Sequence, residues 1–344
     1  MKVILLQLDG KIPNLALMRI AAHHRSIGDE VSFRFAGNVP AVQRHIGDDF
    51  DQVYASAIFT RTKPVIEALR SEYPDAIVGG TGHDLSVTVE QYGITTQNLD
   101  YSLYPRFQQS LGFTQRGCRL KCEFCVVPRK EGKVRPERTI AEIWRGDPYP
   151  RELLLLDNDF FGQPQWRERI AEIREGNFKV SFNQGINCRC ITDEAAEAIA
   201  SVDYRDDSMK AKRIYTAWDN RDDEERLFAG LRRLVKYGVK PNHIMVYMLI
   251  GFWPGETHAD REYRRKKLRD FGAVPYPMPY VRTSELAGFQ RWVVGAYDKP
   301  LKLWPNGVPW DVWSAASYAP QNIAVPTGNG ELFGHGTRSN VSPE

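Results

Sequence analysis

Apolar and polar positions in this chain keep switching between two periods. Val3 to Leu8 is a short apolar run that breaks at Asp9-Gly10, which predicts a buried strand and a turn. From Asn14 to Ile27 the apolar residues Leu17, Ile20, Ala21 and Ile27 fall at helical spacing, and Gly28 closes the segment. Glu30 to Phe35 alternates as a strand, and Val53 to Ile58 predicts another. Pro64 to Tyr73 reads as a helix with proline in its first turn. Ala76 to Val78 is a short strand that runs into Gly79-Gly80-Thr81-Gly82. Such a glycine-rich stretch after a strand suits either a tight turn or a phosphate. Without the full dinucleotide spacing, the turn is the expected reading.

The same alternation returns after residue 139. Thr139 caps a helix start, with Glu142 completing a capping box. Leu153 to Leu156 is the signature of a strand buried on both faces. Predicted helices at 165–174 and 192–201 flank a strand at Lys179–Asn183, and Arg213–Ala217 is followed by a long helix from Asp222 to Tyr237. His243 to Ile250, a helix from His258 to Phe271, a strand at Val274–Met278 and a helix at Ser284–Trp292 complete the pattern. Strands alternating with helices predict an α/β protein built on parallel sheets. Beyond them, Trp304, Pro305, Trp310 and Trp313 form an aromatic stretch without clear periodicity, expected to cover a domain base or seam. From Pro326 glycine and polar residues dominate, which predicts a disordered tail.

At 344 residues the chain exceeds one ordinary core and implies about two domains. No apolar run reaches the length of a membrane span, and the apolar stretch after Met1-Lys2 is too short for a signal peptide. A cytoplasmic protein with no membrane partner is therefore expected. A formal charge of +3 is nearly neutral for this size and neither demands nor excludes nucleic acid.

Chemistry enters with the cysteines. Three of the five fall within eight positions, in Gly117-Cys118-Arg119-Leu120-Lys121-Cys122-Glu123-Phe124-Cys125. A disulfide framework is not indicated. Thiolates select zinc, Cu(I) or iron–sulfur clusters. A structural zinc site needs four ligands, usually in paired knuckles, and no second knuckle is present. Three thiolates without a fourth fit a cubane cluster with one iron left open.

The Cys118-x3-Cys122-x2-Cys125 spacing, with Phe124 before the last cysteine and Gly117 before the first, resembles the radical S-adenosylmethionine (radical SAM) superfamily. The segment Ile250-Gly251-Phe252-Trp253-Pro254-Gly255-Glu256-Thr257 is similar to that family's G-F-P-G-E-T stretch, with Trp253 inserted. The resemblance implies a partial (βα)6 barrel at residues 106–295. It also implies a [4Fe–4S] cluster on Cys118, Cys122 and Cys125, and S-adenosylmethionine as co-substrate. Reductive cleavage would give a 5′-deoxyadenosyl radical that abstracts hydrogen from a substrate. An electron donor such as flavodoxin or ferredoxin follows as a partner.

By the same resemblance Phe124 lies beside the adenine, and the backbone at Ile250 and Gly251 packs along it. Asp157 meets the amino group of the methionine moiety, Arg189 forks its carboxylate, and Asp219 accepts from a ribose hydroxyl. Gln184 joins them at the carboxyl end of its strand, where parallel barrels keep their chemistry. No catalytic residue beyond these is assigned.

Residues 1–105 resemble the Rossmann-like, cobalamin-binding-like domain of one branch of the superfamily. The family's cobalt-ligating histidine is missing, because the corresponding loop reads Asp9-Gly10-Lys11-Ile12-Pro13. Cobalamin is therefore disfavoured, and a cobalamin-dependent methyltransferase is the alternative within the family. His23 and His24, on the next helix, are expected to be solvated or capping. Residues 296–344 form a carboxyl-terminal extension. A zinc- or cluster-binding protein without catalysis is the alternative from another class.

Two features stay open. Cys188 and Cys190, read as alternating in a strand, suit small apolar packing on a shared face more than an auxiliary cluster. The helix at 258–271 carries Arg261, Arg264, Arg265, Lys266, Lys267 and Arg269, read as a solvated face with a nucleic-acid footprint as the sharper alternative. The substrate thus divides between a nucleobase in RNA or DNA and a small metabolite or peptide.

Overall fold

The computed structural model describes residues 1–300, 303 and 305–318. It is an α/β protein whose strands pair mainly in parallel, and the chain separates into two compact units. The expected tail from Pro326 and Trp304 lie outside the described residues. Among the described residues no helix is long and apolar enough to cross a membrane.

The first unit comprises residues 1–112, 126–130 and 146–150. Its strands are β1 (Lys2–Gln7), β2 (Glu30–Phe35), β3 (Gln52–Ser56), β4 (Ile77–Gly79) and β5 (Ser110–Gly112). The first four form a parallel sheet in the order β2-β1-β3-β4. Val3 to Gln7 are buried on both faces because β1 lies inside that sheet, which is why the segment reads as an unbroken apolar run. Helix α1 (Leu15–Ser26) is capped by Asn14, whose side chain accepts from Leu17 N at 3.2 Å. Helix α2 (Lys63–Glu72) packs Val65, Ile66 and Leu69 into the same core. A helical turn, α3 (Val127–Lys130), belongs to this unit, and Lys130 Nζ donates to Thr81 Oγ1 at 2.7 Å.

The second unit holds the remainder. Strands β6 (Gln115–Arg116) and β7 (Arg135–Pro136) pair antiparallel. Helix α4 (Ile140–Ile143) starts on the Thr139–Glu142 capping box but lasts four residues. Then come β8 (Glu152–Leu155), α5 (Trp166–Glu175), β9 (Lys179–Phe182), α6 (Asp193–Ala200) and β10 (Asp203–Tyr204). They are followed by β11 (Ile214–Ala217), α7 (Glu224–Lys236), β12 (Ile244–Ile250), α8 (His258–Phe271) and β13 (Val274–Pro279). Helices α9 (Ser284–Val294) and α10 (Trp310–Tyr318) end the described chain. β8, β9 and β10 pair in parallel, as do β11, β12 and β13. The two sets meet where Ile186 N donates to Tyr215 O at 2.8 Å. One continuous core lies between strands and helices, with Leu153, Leu155, Val246, Met248 and Trp218 at its centre.

Several expectations need correction. Cys188 and Cys190 sit in a 3₁₀ turn, where side chains do not alternate, so Cys188 is buried and Cys190 exposed. His24 is buried, its ring bridging Asp29 Oδ2 at 2.7 Å and Tyr54 OH at 3.3 Å, so it is neither solvated nor capping.

The cations of α8, apart from the exposed Lys266, are also drawn to carboxylates. Arg261 pairs with Glu285, Arg264 with Glu256, Arg265 with Glu262 and Asp298, Lys267 with Glu224, and Arg269 with Asp298. Arg261, Arg264 and Arg265 are buried. A helix whose guanidinium groups are committed to carboxylates is not a solvated face, and it does not present a row of open cations to a phosphate backbone.

Candidate functional site

The cysteine loop is held by two carboxylates that its own sequence does not announce. Glu131 accepts from Gly117 N at 2.9 Å and from Asn158 Nδ2 at 2.9 Å, and pairs with Arg116 at 3.0 Å. Asp159, 1% exposed, accepts from Arg119 N at 3.1 Å and pairs with the Arg119 guanidinium at 3.0 Å. Both lie outside the motif, so only tertiary structure reveals them. Gly117 is required by the backbone: its φ is +82°, and a Cβ there would lie 2.3 Å from Lys133 O.

Within the loop, Cys125 N donates to Cys122 O at 3.0 Å, and Cys118 Sγ accepts from Leu120 N at 3.4 Å. Burial pushes the Cys118 thiol up to about 11, with the Leu120 N–H opposing and Asp159, Cys122 and Cys125 adding to the rise. The three thiols thus share one electrostatic neighbourhood. Among the described residues no group of three or more His, Cys, Asp or Glu side chains is gathered as a single metal ion requires. Four-coordinate zinc would need its thiolates about 2.3 Å from one common centre. In a cubane each cysteine would take a different iron, an arrangement that does not ask for one common centre.

Arg189 connects the strand ends to this loop. Its Nη2 lies 3.9 Å from Cys122 Sγ, its Nε donates to Asn187 Oδ1 at 3.2 Å, and its Nη1 pairs with the buried Asp223 at 2.5 Å. Asp223 was not among the expected residues. Because it takes one arm of the guanidinium, Arg189 has Nη2, not a whole fork, to offer a ligand carboxylate. Half-buried Asp219 is pushed up to about 6 by burial, against the opposing pull of Arg189 and Arg264. Its carbonyl accepts from Trp253 Nε1 at 2.7 Å.

Phe124 meets Phe252 edge-on at 5.6 Å, and Phe252 in turn meets Trp253 and Tyr280. Next to it, Gly251 N donates to Glu256 Oε2 at 2.6 Å, while Arg264 pairs with Glu256 and donates to Trp218 O at 3.0 Å and Leu249 O at 2.9 Å. One buried guanidinium therefore braces the ends of β11 and β12. Ile250 points into the core, and its carbonyl accepts from Tyr280 N at 2.9 Å.

Two expected residues behave differently. Gln184 is exposed, and its side chain donates only to the neighbouring Asn183 Oδ1, at 3.0 Å. Asp157 is 3% exposed and binds Gln115 N at 2.6 Å and Thr114 Oγ1 at 3.1 Å through Oδ1, whereas Oδ2 is buried without a partner. Burial pushes its carboxyl up to about 7, with those donors opposing.

In the first unit the loop after β1 closes on itself. Gln7 Nε2 donates to the carbonyls of Asp9, Gly10 and Ile12, while Asp9 accepts from Ile58 N, Phe59 N and Thr62 Oγ1 at 2.5–2.9 Å. Gly80 has φ +107°, and a Cβ there would lie 2.2 Å from Ala57 O. The glycine-rich stretch is thereby accounted for by close backbone approach. No protein-family model matches the chain, and no curated protein matches it.

Proposed function

We propose that the chain is a radical SAM enzyme in which Cys118, Cys122 and Cys125 hold a [4Fe–4S] cluster. On this reading the second unit is a partial (βα)6 barrel, and the first unit is Rossmann-like. The reading rests on one observation above the others: Arg189, from the turn after β9, reaches Cys122 Sγ. A cysteine triplet found by spacing and a cation found by its place after a strand come together. When bound, the cluster supplies the electron that cleaves S-adenosylmethionine to the radical that takes hydrogen from the substrate.

The chain's own residues would do the rest. Glu131 and Asp159 fix the loop that presents the thiols. Arg189 Nη2 offers a donor for a carboxylate, and Asp219 offers acceptor oxygens for a hydroxyl. Phe124 and Phe252 form an apolar edge suited to a purine ring. Cobalamin stays disfavoured on this reading, since the β1 loop holds no histidine, Gln7 is engaged by that loop's carbonyls and Asp9 by donors of the segment after β3.

Anaerobic reconstitution of the full chain with iron and sulfide tests this proposal. The expected product with dithionite and S-adenosylmethionine is 5′-deoxyadenosine, with iron and sulfide retained in equal amounts and lost in Cys122→Ala. Zinc uptake without sulfide, or a reconstituted protein that forms no 5′-deoxyadenosine, would overturn it.

A further inference from the structure

Two outermost strands, β13 in one unit and β2 in the other, treat their free edges differently. Just past β13 the N–H of Tyr280 donates to Ile250 O at 2.9 Å, so even-numbered residues face β12 and odd-numbered ones face outward. The outward positions are Pro275, Pro277 and Pro279, which have no N–H to give, and Gln290 of α9 covers the Pro277 carbonyl at 2.8 Å. That edge is shut to another strand.

β2 is the outermost strand of the first unit's sheet and carries no such guard. Glu30 N donates to Met1 O at 2.9 Å and Ala36 N to Gln7 O at 2.8 Å, so here too the even-numbered residues serve the ladder, with β1. The N–H and C=O groups of Val31, Phe33 and Phe35 point the other way, where no strand pairs with them among the described residues. The Val31 carbonyl takes a 3.4 Å contact from Arg25 Nη2 and has a second lone pair to offer. At the end of this row Phe35 is 56% exposed. An edge so open invites another strand.

We propose that β2 pairs with β2 of a second copy of this chain, antiparallel about a two-fold axis at Phe33. In that register outward groups meet outward groups: Val31 lies opposite the partner's Phe35, and Phe33 opposite the partner's Phe33. The strand is complementary to itself there. Val31 covers the exposed Phe35, and on the other face Arg34 comes diagonal to the partner's Glu30, opposite charges within reach of each other. Parallel pairing in register would instead set Glu30 against Glu30 and Arg34 against Arg34. The contact is isologous and closes on itself, leaving β4, three residues long, outermost on both sides. It involves the first unit alone and does not depend on the cluster chemistry.

Sedimentation equilibrium of the full chain, with hydrogen exchange read over residues 30–36, tests the proposal. A dimer should form as concentration rises from about 1 to about 100 μM, and exchange in that segment should slow with it. Phe35→Pro removes an outward donor without touching the β1 ladder, and should weaken dimerisation at least about tenfold. If Phe35→Pro does not fold, Phe35→Lys, which sets a charge against the partner's Val31, carries the same expectation. A chain that stays monomeric throughout would overturn the proposal, as would a dimer whose residues 30–36 exchange as fast as the monomer's. So would variants that dimerise as the natural chain does. Protection of this segment at every concentration would mean that part of the same chain covers the edge, and would overturn it too.

Discussion

Asp9 and Asp157 each stand two residues beyond the end of a buried strand, β1 in one unit and β8 in the other. Asp9 has both carboxylate oxygens engaged, by two backbone N–H groups and a threonine hydroxyl. Asp157 has one oxygen engaged and the other buried without a partner. The same residue type at the same register therefore makes a closed lock in one place and an incompletely satisfied acceptor in the other. The difference lies in the donors: the β3 loop turns two N–H groups toward Asp9, whereas a single N–H and one hydroxyl reach Asp157. Polar groups satisfied within the fold serve stability, and those left unsatisfied or raised in pKa mark where a ligand can act.

The largest effect should come from the closed side. Gly80→Ala combines a positive φ with a Cβ inside contact distance of Ala57 O, and should cost about 3 kcal/mol or more in denaturant unfolding. Iron and sulfide bound per folded chain should not change. Loss of cluster in a well-folded Gly80→Ala protein would join the two sides and break the contrast.

Asp159→Ala comes next. It strips Arg119 of its partner and leaves a backbone N–H unpaired, for about 1–3 kcal/mol. Here, unlike Gly80→Ala, iron retention after reconstitution should fall as well, because the lost contacts shape the thiol loop. A smaller change, about 1–2 kcal/mol, is expected for Arg189→Gln, since Arg226 still pairs with Asp223 and limits the penalty of the unpaired charge. Its sharper signature is weakened retention of S-adenosylmethionine in equilibrium dialysis with the reconstituted protein.

Much of this layout is written in the periodicity. Runs such as Leu153–Leu155 and the helix from Glu224 to Lys236 lie where apolar spacing puts them, to within a residue or two. Short elements such as β10, with two residues, are too brief to carry a period, and α10 hides in an aromatic stretch whose packing is tertiary. The sequence shows the cations of α8 but not that Glu256, Glu285 and Asp298 fold back onto them, so a solvated face was the natural reading. The cysteine triplet and Arg189 are local signals, whereas Asp159 and Asp223 gain meaning only from contacts 40 and 34 residues away.

The smallest effect should also be the most direct reading of the contrast. The Asp157 carboxyl sits near 7 in the folded chain, above its usual value, because burial disfavours the charged form. The folded state therefore holds this proton where the unfolded chain has released it. Its contribution to stability is full below about pH 4 and is lost as pH rises through about 7. Asp157→Asn cannot ionise, yet it keeps an oxygen for Gln115 N and Thr114. The variant should show a flatter stability profile between about pH 4 and 7, and at about pH 8 should equal or exceed the natural chain by about 1 kcal/mol. Urea midpoints across that range decide it. Parallel profiles for the two proteins would mean that Asp157 ionises without penalty, and the distinction from Asp9 would then rest on hydrogen-bond geometry alone.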